Sequence, residues 1–191
     1  MMRKLLVGVL TGVLALSACS AEKDAGTDSN FVFVSPGGKT DITYDGPDRK
    51  PLPDMSGPDL LDDSKRLSLT DYRGKVVVIN VWGQWCGPCR TEAPRLQEVQ
   101  NTYEANGVQV LGIDVRDNDR QAAQDFVRDR KLTYPSVYDP PGRSLLALKG
   151  VPRAVVPATF VIDKQGRVAA VFLRDLLAED LAPVLDELVA E

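Results

Sequence analysis

The stretch from Lys75 to Arg90, KVVVINVWGQWCGPCR, joins a nearly continuous run of β-branched residues to two cysteines that are separated by two residues. A run such as Val76 to Val81 is typical of a strand that is buried on both faces of a sheet. The residues after the second cysteine have helical spacing. The sequence therefore predicts that Cys86 lies at the amino terminus of a helix and that Cys89 lies one turn further along it.

The segment after the cysteines predicts a β-α-β unit. Leu96, Val99 and Tyr103 recur at helical spacing, and Asn106-Gly107 provides a stop signal. The next apolar strand runs over residues 108–113. Because such crossovers are right-handed, we expect the two strands of the unit to be parallel.

The carboxyl-terminal half predicts one inserted helix and then a β-β-α unit. Asn118 or Asp119 can cap the inserted helix. Two later apolar runs, residues 159–162 and 168–172, flank a turn and predict an antiparallel hairpin. A last amphipathic segment predicts a helix in which Pro183 is tolerated if it lies in the first turn. This order favours an α/β fold with a central mixed sheet and helices on both faces.

The amino terminus has the features of an export signal. Two basic residues precede an apolar run over residues 5–16, which is short for a membrane span, and small residues then lead to Cys19. This pattern resembles a bacterial lipobox, so residues 1–18 are interpreted as a lipoprotein signal peptide and Cys19 as the lipidated residue. The alternative is an ordinary signal peptide. Either way, export exposes the thiols to an oxidising environment.

The next segment is polar and rich in small residues, so residues 19–51 are interpreted as a flexible tether and residues 52–191 as the folded domain. A short apolar interruption from Phe31 to Val34 leaves a second interpretation open, in which this part of the segment is a short strand resting on the domain.

Composition limits the classes of function. The chain has 191 residues, of which 43% are hydrophobic, as expected for one ordinary domain with some extra chain. Acidic residues outnumber basic ones, 27 against 23, and no block of like charge stands out. This balance argues against nucleic-acid binding and favours proteins or small molecules as partners.

The two thiols have three possible uses. A structural zinc site normally needs four cysteine or histidine ligands, whereas this chain has no histidine and three cysteines in all. A structural disulfide is the second use, but it would close a very small loop and stabilise the chain little. The start of a helix favours the thiolate form of cysteine. Redox chemistry without a metal is therefore the favoured use.

Three stretches carry a resemblance to a known family. WGQWCGPCRTEAP follows VVVIN, LTDYRGKVVVINVW overlaps it, and VPATFVIDKQGRV lies downstream. Together they resemble the thioredoxin superfamily, in particular its TlpA/ResA-like extracytoplasmic branch, from about Leu52 to the carboxyl terminus. The resemblance implies a thioredoxin-like fold with an N-terminal β-hairpin and a central inserted α element. It also implies dithiol-disulfide exchange without a cofactor.

The resemblance assigns roles to the residues of the Cys-x-x-Cys motif. Cys86 is expected to be the exposed attacking thiol, and Cys89 the resolving thiol that breaks the mixed disulfide. Gly87 and Pro88 lie between them, match thioredoxin and suggest a reductant. Trp85 is expected to shield the thiols and to shape the surface that binds the substrate.

Further site residues lie outside the motif. Pro157 aligns with the cis-proline of the family, where the backbone of Val156 would pair with an extended substrate segment. Glu92 is three residues after Cys89 and so lies on nearly the same helix face, where a carboxylate could move protons. Asn80 stands where cytoplasmic thioredoxins have an aspartate, which favours Glu92 as the proton-handling group.

The function predicted from the sequence is that of a thiol:disulfide oxidoreductase, lipid-anchored at the outer face of the cell membrane. The resemblance implies that it reduces disulfides in exported proteins, with apocytochrome c as the leading substrate, and that a membrane thiol relay of the CcdA/DsbD type recharges it. Two alternatives remain open: a disulfide oxidase for newly exported proteins, and a non-enzymatic binding lipoprotein. Redox potential and oligomeric state do not follow from the sequence.

Overall fold

The computed structural model describes residues 30–191. The predicted signal peptide, the lipidation of Cys19 and the first part of the predicted tether lie outside the described residues. Within residues 30–191, no helix is both long enough and apolar enough to cross a membrane.

The described chain folds into eight strands, three α-helices and five short 3₁₀ turns. The strands are β1 (Asp41–Thr43), β2 (Ser56–Pro58), β3 (Arg66–Ser68), β4 (Val76–Trp82), β5 (Val108–Asp114), β6 (Ser136–Tyr138), β7 (Ala158–Ile162) and β8 (Val168–Phe172). The helices are α1 (Gly87–Tyr103), α2 (Arg120–Asp129) and α3 (Ala178–Ala190). The 3₁₀ turns are Pro36–Gly38, Gly46–Asp48, Leu69–Tyr72, Glu104–Asn106 and Ser144–Ala147.

Six strands form one mixed sheet in the order β1-β8-β7-β4-β5-β6, and β2 pairs with β3 in a separate antiparallel hairpin. The neighbours β4, β5 and β6 run parallel, whereas β7 is antiparallel to both β4 and β8. The predicted thioredoxin-like fold is therefore confirmed, including the N-terminal hairpin and the inserted helix α2, which connects β5 to β6.

The two faces of the sheet are covered differently. Along β4, Val76 and Val78 pack in the same cluster as the buried side chains of α1, α2 and α3, while Val77 and Ile79 pack in the cluster on the other side. Helices α1 and α2 share a face because β4, β5 and β6 follow one another across the sheet, and successive right-handed crossovers lie on the same side. The prediction of helices on both faces is corrected in this detail. Segments containing 3₁₀ turns, not an α-helix, cover the second face in the described part of the chain.

The segment before Leu52 is part of the folded unit. Phe31 and Phe33 are buried in the second-face cluster, and β1 pairs with the edge strand β8. Residues 30–51 of the predicted flexible tether are thus docked, and the domain begins earlier than the predicted boundary. The two buried phenylalanines, the pairing of β1 with β8 and the ion pairs of Arg49 with Glu187 and Glu191 together hold this segment on the domain.

Helix α3 begins earlier than Pro183 implied. Its first residue is Ala178, and the Asp180 carboxylate accepts a hydrogen bond from the backbone N–H of Leu177 at 2.8 Å. Pro183 therefore lies in the second turn, not in the first. The carbonyl left without its N–H donor is that of Glu179, which is exposed and can be hydrated.

Candidate active site

The carboxyl end of β4 delivers the Cys-x-x-Cys motif. The backbone N–H of Gln84 donates to the buried Asp117 carboxylate at 2.6 Å, which fixes the connection between β4 and α1. Gly83 permits a tight approach in this connection, because a Cβ at this position would overlap the indole of Trp85 and contact the carbonyl of Val115 at 2.9 Å. Cys86 then occupies the N-cap position of α1.

Cys86 and Cys89 form a disulfide bond in the first turn of α1. The backbone N–H of Cys89 points at the sulfur of Cys86, with a nitrogen-to-sulfur distance of 3.2 Å. In the reduced protein, an amide in this position and the positive end of the helix dipole would stabilise a Cys86 thiolate. The motif is thus built to favour ionisation of its first thiol.

The predicted exposure of Cys86 is wrong. Only 4% of Cys86 is exposed, against 1% of Cys89, so both cysteines are buried in the oxidised state. The reason is that Cys86 belongs to the cluster of buried side chains under the helices and also contacts the backbone of Val156. Gly87, directly after Cys86, is exposed, so the disulfide lies close to the protein surface at this point.

The Val156-Pro157 peptide bond is cis, as predicted. It lies against the disulfide, because the Val156 carbonyl oxygen is 3.7 Å from the sulfur of Cys86. A disulfide sulfur carries no hydrogen, so this is a contact and not a hydrogen bond. The backbone predicted to pair with a substrate therefore stands next to the sulfur predicted to attack it.

Trp85 forms an exposed edge of the site. The residue is 45% exposed, although its indole N–H donates to the Val115 carbonyl at 3.0 Å. The guanidinium of Arg116 lies over the ring, 4.5 Å from its centroid. The hydrogen bond and the cation–π contact fix the position of the indole, so its exposed part is an ordered surface that a partner can contact.

Glu92 is completely buried one turn after Cys89. Its carboxylate accepts two hydrogen bonds, from the side-chain amide of Asn80 and from the backbone N–H of Leu176, both at 3.1 Å. Asn80 also donates to the hydroxyl of Thr159 at 3.1 Å. Burial raises the pKa of Glu92 to about 7, although the hydrogen bonds from Asn80 and Leu176 act in the opposite direction. Glu92 can therefore both release and accept a proton near neutral pH.

A second buried acid, Asp114, was missed by the sequence analysis. It ends β5, directly opposite Trp82 in the register with β4. Its carboxyl oxygens meet no N–H or O–H donor among residues 30–191. Burial, and next the neighbouring Asp117 carboxyl, raise the pKa of Asp114 to about 9. At pH 7 Asp114 is thus a neutral acid, whose proton can be shared with Asp117.

The aspartates between Asp114 and Asp119 do not form a continuous acidic surface. Asp114 and Asp117 are buried, and Asp119 accepts the backbone N–H of Ala122 at 3.1 Å as the N-cap of α2. The position of Asp114 directly after the predicted strand of residues 108–113 was the available signal for burial. Within residues 30–191, no group of three or more His, Cys, Asp or Glu side chains is arranged to hold a metal ion.

The chain resembles known proteins over most of its length. Residues 49–171 match the model of the AhpC/TSA family. The chain is 35% identical to the thiol-disulfide oxidoreductase ResA of Geobacillus kaustophilus over 136 residues, which cover 71% of this chain and 75% of that protein.

Two solved structures are also similar. A secreted thiol-disulfide isomerase from Corynebacterium glutamicum has 48% sequence identity and a TM-score of 0.83, covering 85% of this chain and 99% of that one. A DsbF homologue from Corynebacterium diphtheriae has 51% identity and a TM-score of 0.79, covering 84% of this chain and 100% of that one.

Proposed function

Because the chain belongs to the AhpC/TSA family of the thioredoxin superfamily and is a thiol-disulfide oxidoreductase, we propose that it reduces disulfides in exported proteins outside the cytoplasm. In this proposal Cys19 carries the lipid that anchors the protein at the outer face of the membrane. The observation that carries the proposal is the Cys86–Cys89 pair at the amino terminus of α1, beside the Val156 carbonyl.

The reaction proceeds in two exchange steps. The Cys86 thiolate attacks one sulfur of a substrate disulfide, which forms a mixed disulfide and releases the other substrate sulfur as a thiolate that takes up a proton. The Cys89 thiol then loses its proton and attacks the sulfur of Cys86. The second substrate thiol leaves, and the protein retains the Cys86–Cys89 disulfide. Two electrons and two protons pass to the substrate, and no cofactor is needed.

Glu92 is proposed to accept the proton of Cys89 in the second step. It lies on the same helix one turn after Cys89, and its pKa of about 7 suits a general base near neutral pH. Asn80 and the backbone of Leu176 hold the carboxylate in place. Trp85, Gly87 and Pro88 are proposed to form the surface around the sulfurs, and Val156 and Pro157 to align the substrate backbone.

The substrate and the source of electrons are proposed from the family. The Gly87-Pro88 pair, which matches thioredoxin, and the resemblance to the TlpA/ResA-like branch support a reducing role. In this proposal apocytochrome c is the leading substrate and a membrane relay of the CcdA/DsbD type is the source of new electrons. A second candidate function comes from the solved structures. The solved structure with 48% identity is named an isomerase, which favours rearrangement of disulfides in exported proteins.

Equilibration with a glutathione buffer separates these directions. A reductase should have a reduction potential near the value of about −270 mV that thioredoxin has, an isomerase near about −180 mV, and a strong oxidant near about −120 mV. We expect a value close to that of thioredoxin. A reduction potential near that of the strong oxidants would overturn the reducing role. If the Cys86→Ser variant reduced insulin as fast as the wild type, the proposed function would be overturned altogether.

A further inference from the structure

Arginines surround the dithiol on the protein surface. Arg116 lies over the Trp85 ring, and Arg90 and Arg130 line an open depression together with Gly87, the residue directly after Cys86. Arg153 is exposed on the loop that leads into the cis peptide bond at Val156. We call these four arginines the basic rim.

None of the four rim guanidinium groups forms an ion pair with a carboxylate of residues 30–191. Five other arginines do, and they are Arg49, Arg120, Arg128, Arg167 and Arg174. Unpaired arginines also occur elsewhere in the described chain, so the rim is distinguished by its position beside the dithiol. The rim charges are thus available to an external partner.

The acids near the rim do not cancel it. Asp117 is buried under the connection to the motif, where it accepts the N–H of Gln84. Asp114 is buried and neutral at pH 7, since its pKa is raised to about 9. Asp119 is exposed, but it is engaged at the amino terminus of α2. Asp119 and Asp129, which is next to Arg130, are exposed, so the four rim arginines outnumber the exposed acids named here by four to two.

We propose that the basic rim selects acidic polypeptide segments, so that the protein preferentially exchanges disulfides whose flanking residues are aspartate or glutamate. This inference deepens the proposed function and rests on it. An extended substrate advances about 3.3 Å per residue, so a segment passing Val156 places several residues on each side of its cysteine within reach of the rim. Exposed charges of this kind mainly raise the association rate and are screened by salt.

The test compares two synthetic peptides that contain the same intramolecular disulfide and differ only in their flanks, four aspartates in one and four lysines in the other. The reduced protein is mixed with each peptide, and the second-order rate constant is measured at low and high salt. We expect the acidic peptide to react about tenfold faster at low ionic strength, and the ratio to fall towards one near 1 M salt, where the Debye length is about 3 Å.

Two triple variants locate the effect. The rim variant carries Arg90→Gln, Arg116→Gln and Arg130→Gln. The control variant carries Arg66→Gln, Arg73→Gln and Lys75→Gln, which removes the same charge from exposed residues at or near β3 and the start of β4. The ratio of the two peptide rates is the readout, because it cancels any change in the reactivity of Cys86 itself. We expect the ratio to fall to near one in the rim variant and to persist in the control.

A small uncharged substrate, hydroxyethyl disulfide, separates the two levels of the proposal. If the wild-type protein exchanges it but reacts equally fast with both peptides, the basic rim has no selective role and this inference is overturned. If the control variant loses the preference as fully as the rim variant, the rim is again not responsible. If the protein exchanges none of the three disulfides, the proposed function itself falls.

Discussion

The two ends of the central sheet both bury carboxyl groups, but they treat them differently. At the end away from the dithiol, Asp163 is 1% exposed and accepts the backbone N–H and the side-chain Nε of Arg167 at 2.8 and 2.7 Å. Arg49 lies 3.8 Å from it. At the dithiol end, Glu92 and Asp114 are equally buried but form no ion pair with any group in residues 30–191.

This difference distinguishes an acid that stabilises the fold from acids that can take part in proton transfer. A buried carboxylate held by cations keeps its charge, whereas one without cations is pushed towards its neutral form. Burial raises the pKa of Glu92 to about 7 and that of Asp114 to about 9. Perturbed acids of this kind cluster at functional sites. We infer that the ion pairs of Asp163 at the far end stabilise the fold. At the dithiol end, the buried acids Glu92 and Asp114 lower the stability of the fold, but they can exchange protons near neutral pH.

The largest expected effect is on activity at the dithiol end. Cys86→Ser removes the attacking sulfur, so the exchange rate with any disulfide should fall to that of the uncatalysed reaction. Insulin reduction by dithiothreitol, followed by turbidity, measures this. Asp163→Asn is the matched change at the far end, and its folded fraction should keep the wild-type rate. A comparable loss in both variants would remove the distinction between the two ends.

The next effect is on stability at the far end. Asp163→Asn removes the buried charge that Arg167 contacts, whereas Arg49 keeps Glu187 and Glu191 as partners, so the free energy of unfolding should fall by about 1 to 3 kcal/mol. Urea denaturation at pH 7 measures the change. Asp62→Asn is a suitable control, because Asp62 forms an exposed pair with Lys65 and its loss should change the free energy of unfolding little.

For Asp114→Asn we expect the free energy of unfolding to rise, not to fall. The carboxyl of Asp114 stays protonated in the fold but ionises near its ordinary value of 3.8 in the unfolded chain, so wild-type stability falls as pH rises between these values. Asparagine avoids this cost and can still donate towards Asp117. At pH 7 the variant should be more stable by up to about 4 kcal/mol, with no gain at pH 3. If the variant were less stable than the wild type at pH 7, the assignment of Asp114 as a buried neutral acid without hydrogen-bond partners would be contradicted.

For Glu92→Gln we expect a smaller gain in the free energy of unfolding than for Asp114→Asn. Glutamine cannot accept both hydrogen bonds that the Glu92 carboxylate receives, so part of the gain is lost. The folded-state pKa of Glu92 lies above its ordinary 4.5, so the wild type loses stability relative to the variant as pH rises from about 4.5 to about 7. The full difference corresponds to about 3 kcal/mol, and we expect about 2 kcal/mol at pH 8. Denaturation at several pH values measures it.

Activity gives an independent readout for Glu92. If Glu92 accepts the proton of Cys89, the rate of the second exchange step should rise through an inflection near pH 7 in the wild type and lose that inflection in Glu92→Gln. Stopped-flow release of the reduced substrate separates this step from the first. An unchanged inflection in the variant would assign it to another group and leave Glu92 as a structural residue.

Local features of the chain could be predicted from the sequence more accurately than the burial of individual side chains. The β-branched run before the motif and the helical spacing after it placed Cys86 at the start of α1, because periodicity directly reflects local structure. Glu92 followed from its distance of three residues along a helix. The cis bond at Pro157 came from the resemblance, since no local pattern distinguishes a cis proline from a trans one.

Features that depend on distant partners could not be predicted. The docking of Phe31 depends on a sheet face formed by strands distant along the chain, so the sequence could offer it only as one of two interpretations. Cys86 is covered by the loop containing Val156. Asp114 is the last residue of β5, and its neutral state depends on what surrounds it in three dimensions. The basic rim is likewise assembled from separate elements, so it leaves no block of charge in the sequence.

Trapping of the mixed disulfide tests the central claim most directly. In Cys89→Ala the second step is blocked, so a reduced protein mixed with a disulfide-containing polypeptide should accumulate as a covalent adduct. Tryptic mass spectrometry should find the adduct on Cys86, and the reciprocal Cys86→Ala protein should trap little or none. An adduct that forms mainly on Cys89, or the absence of any adduct in Cys89→Ala, would contradict the assignment of Cys86 as the attacking sulfur.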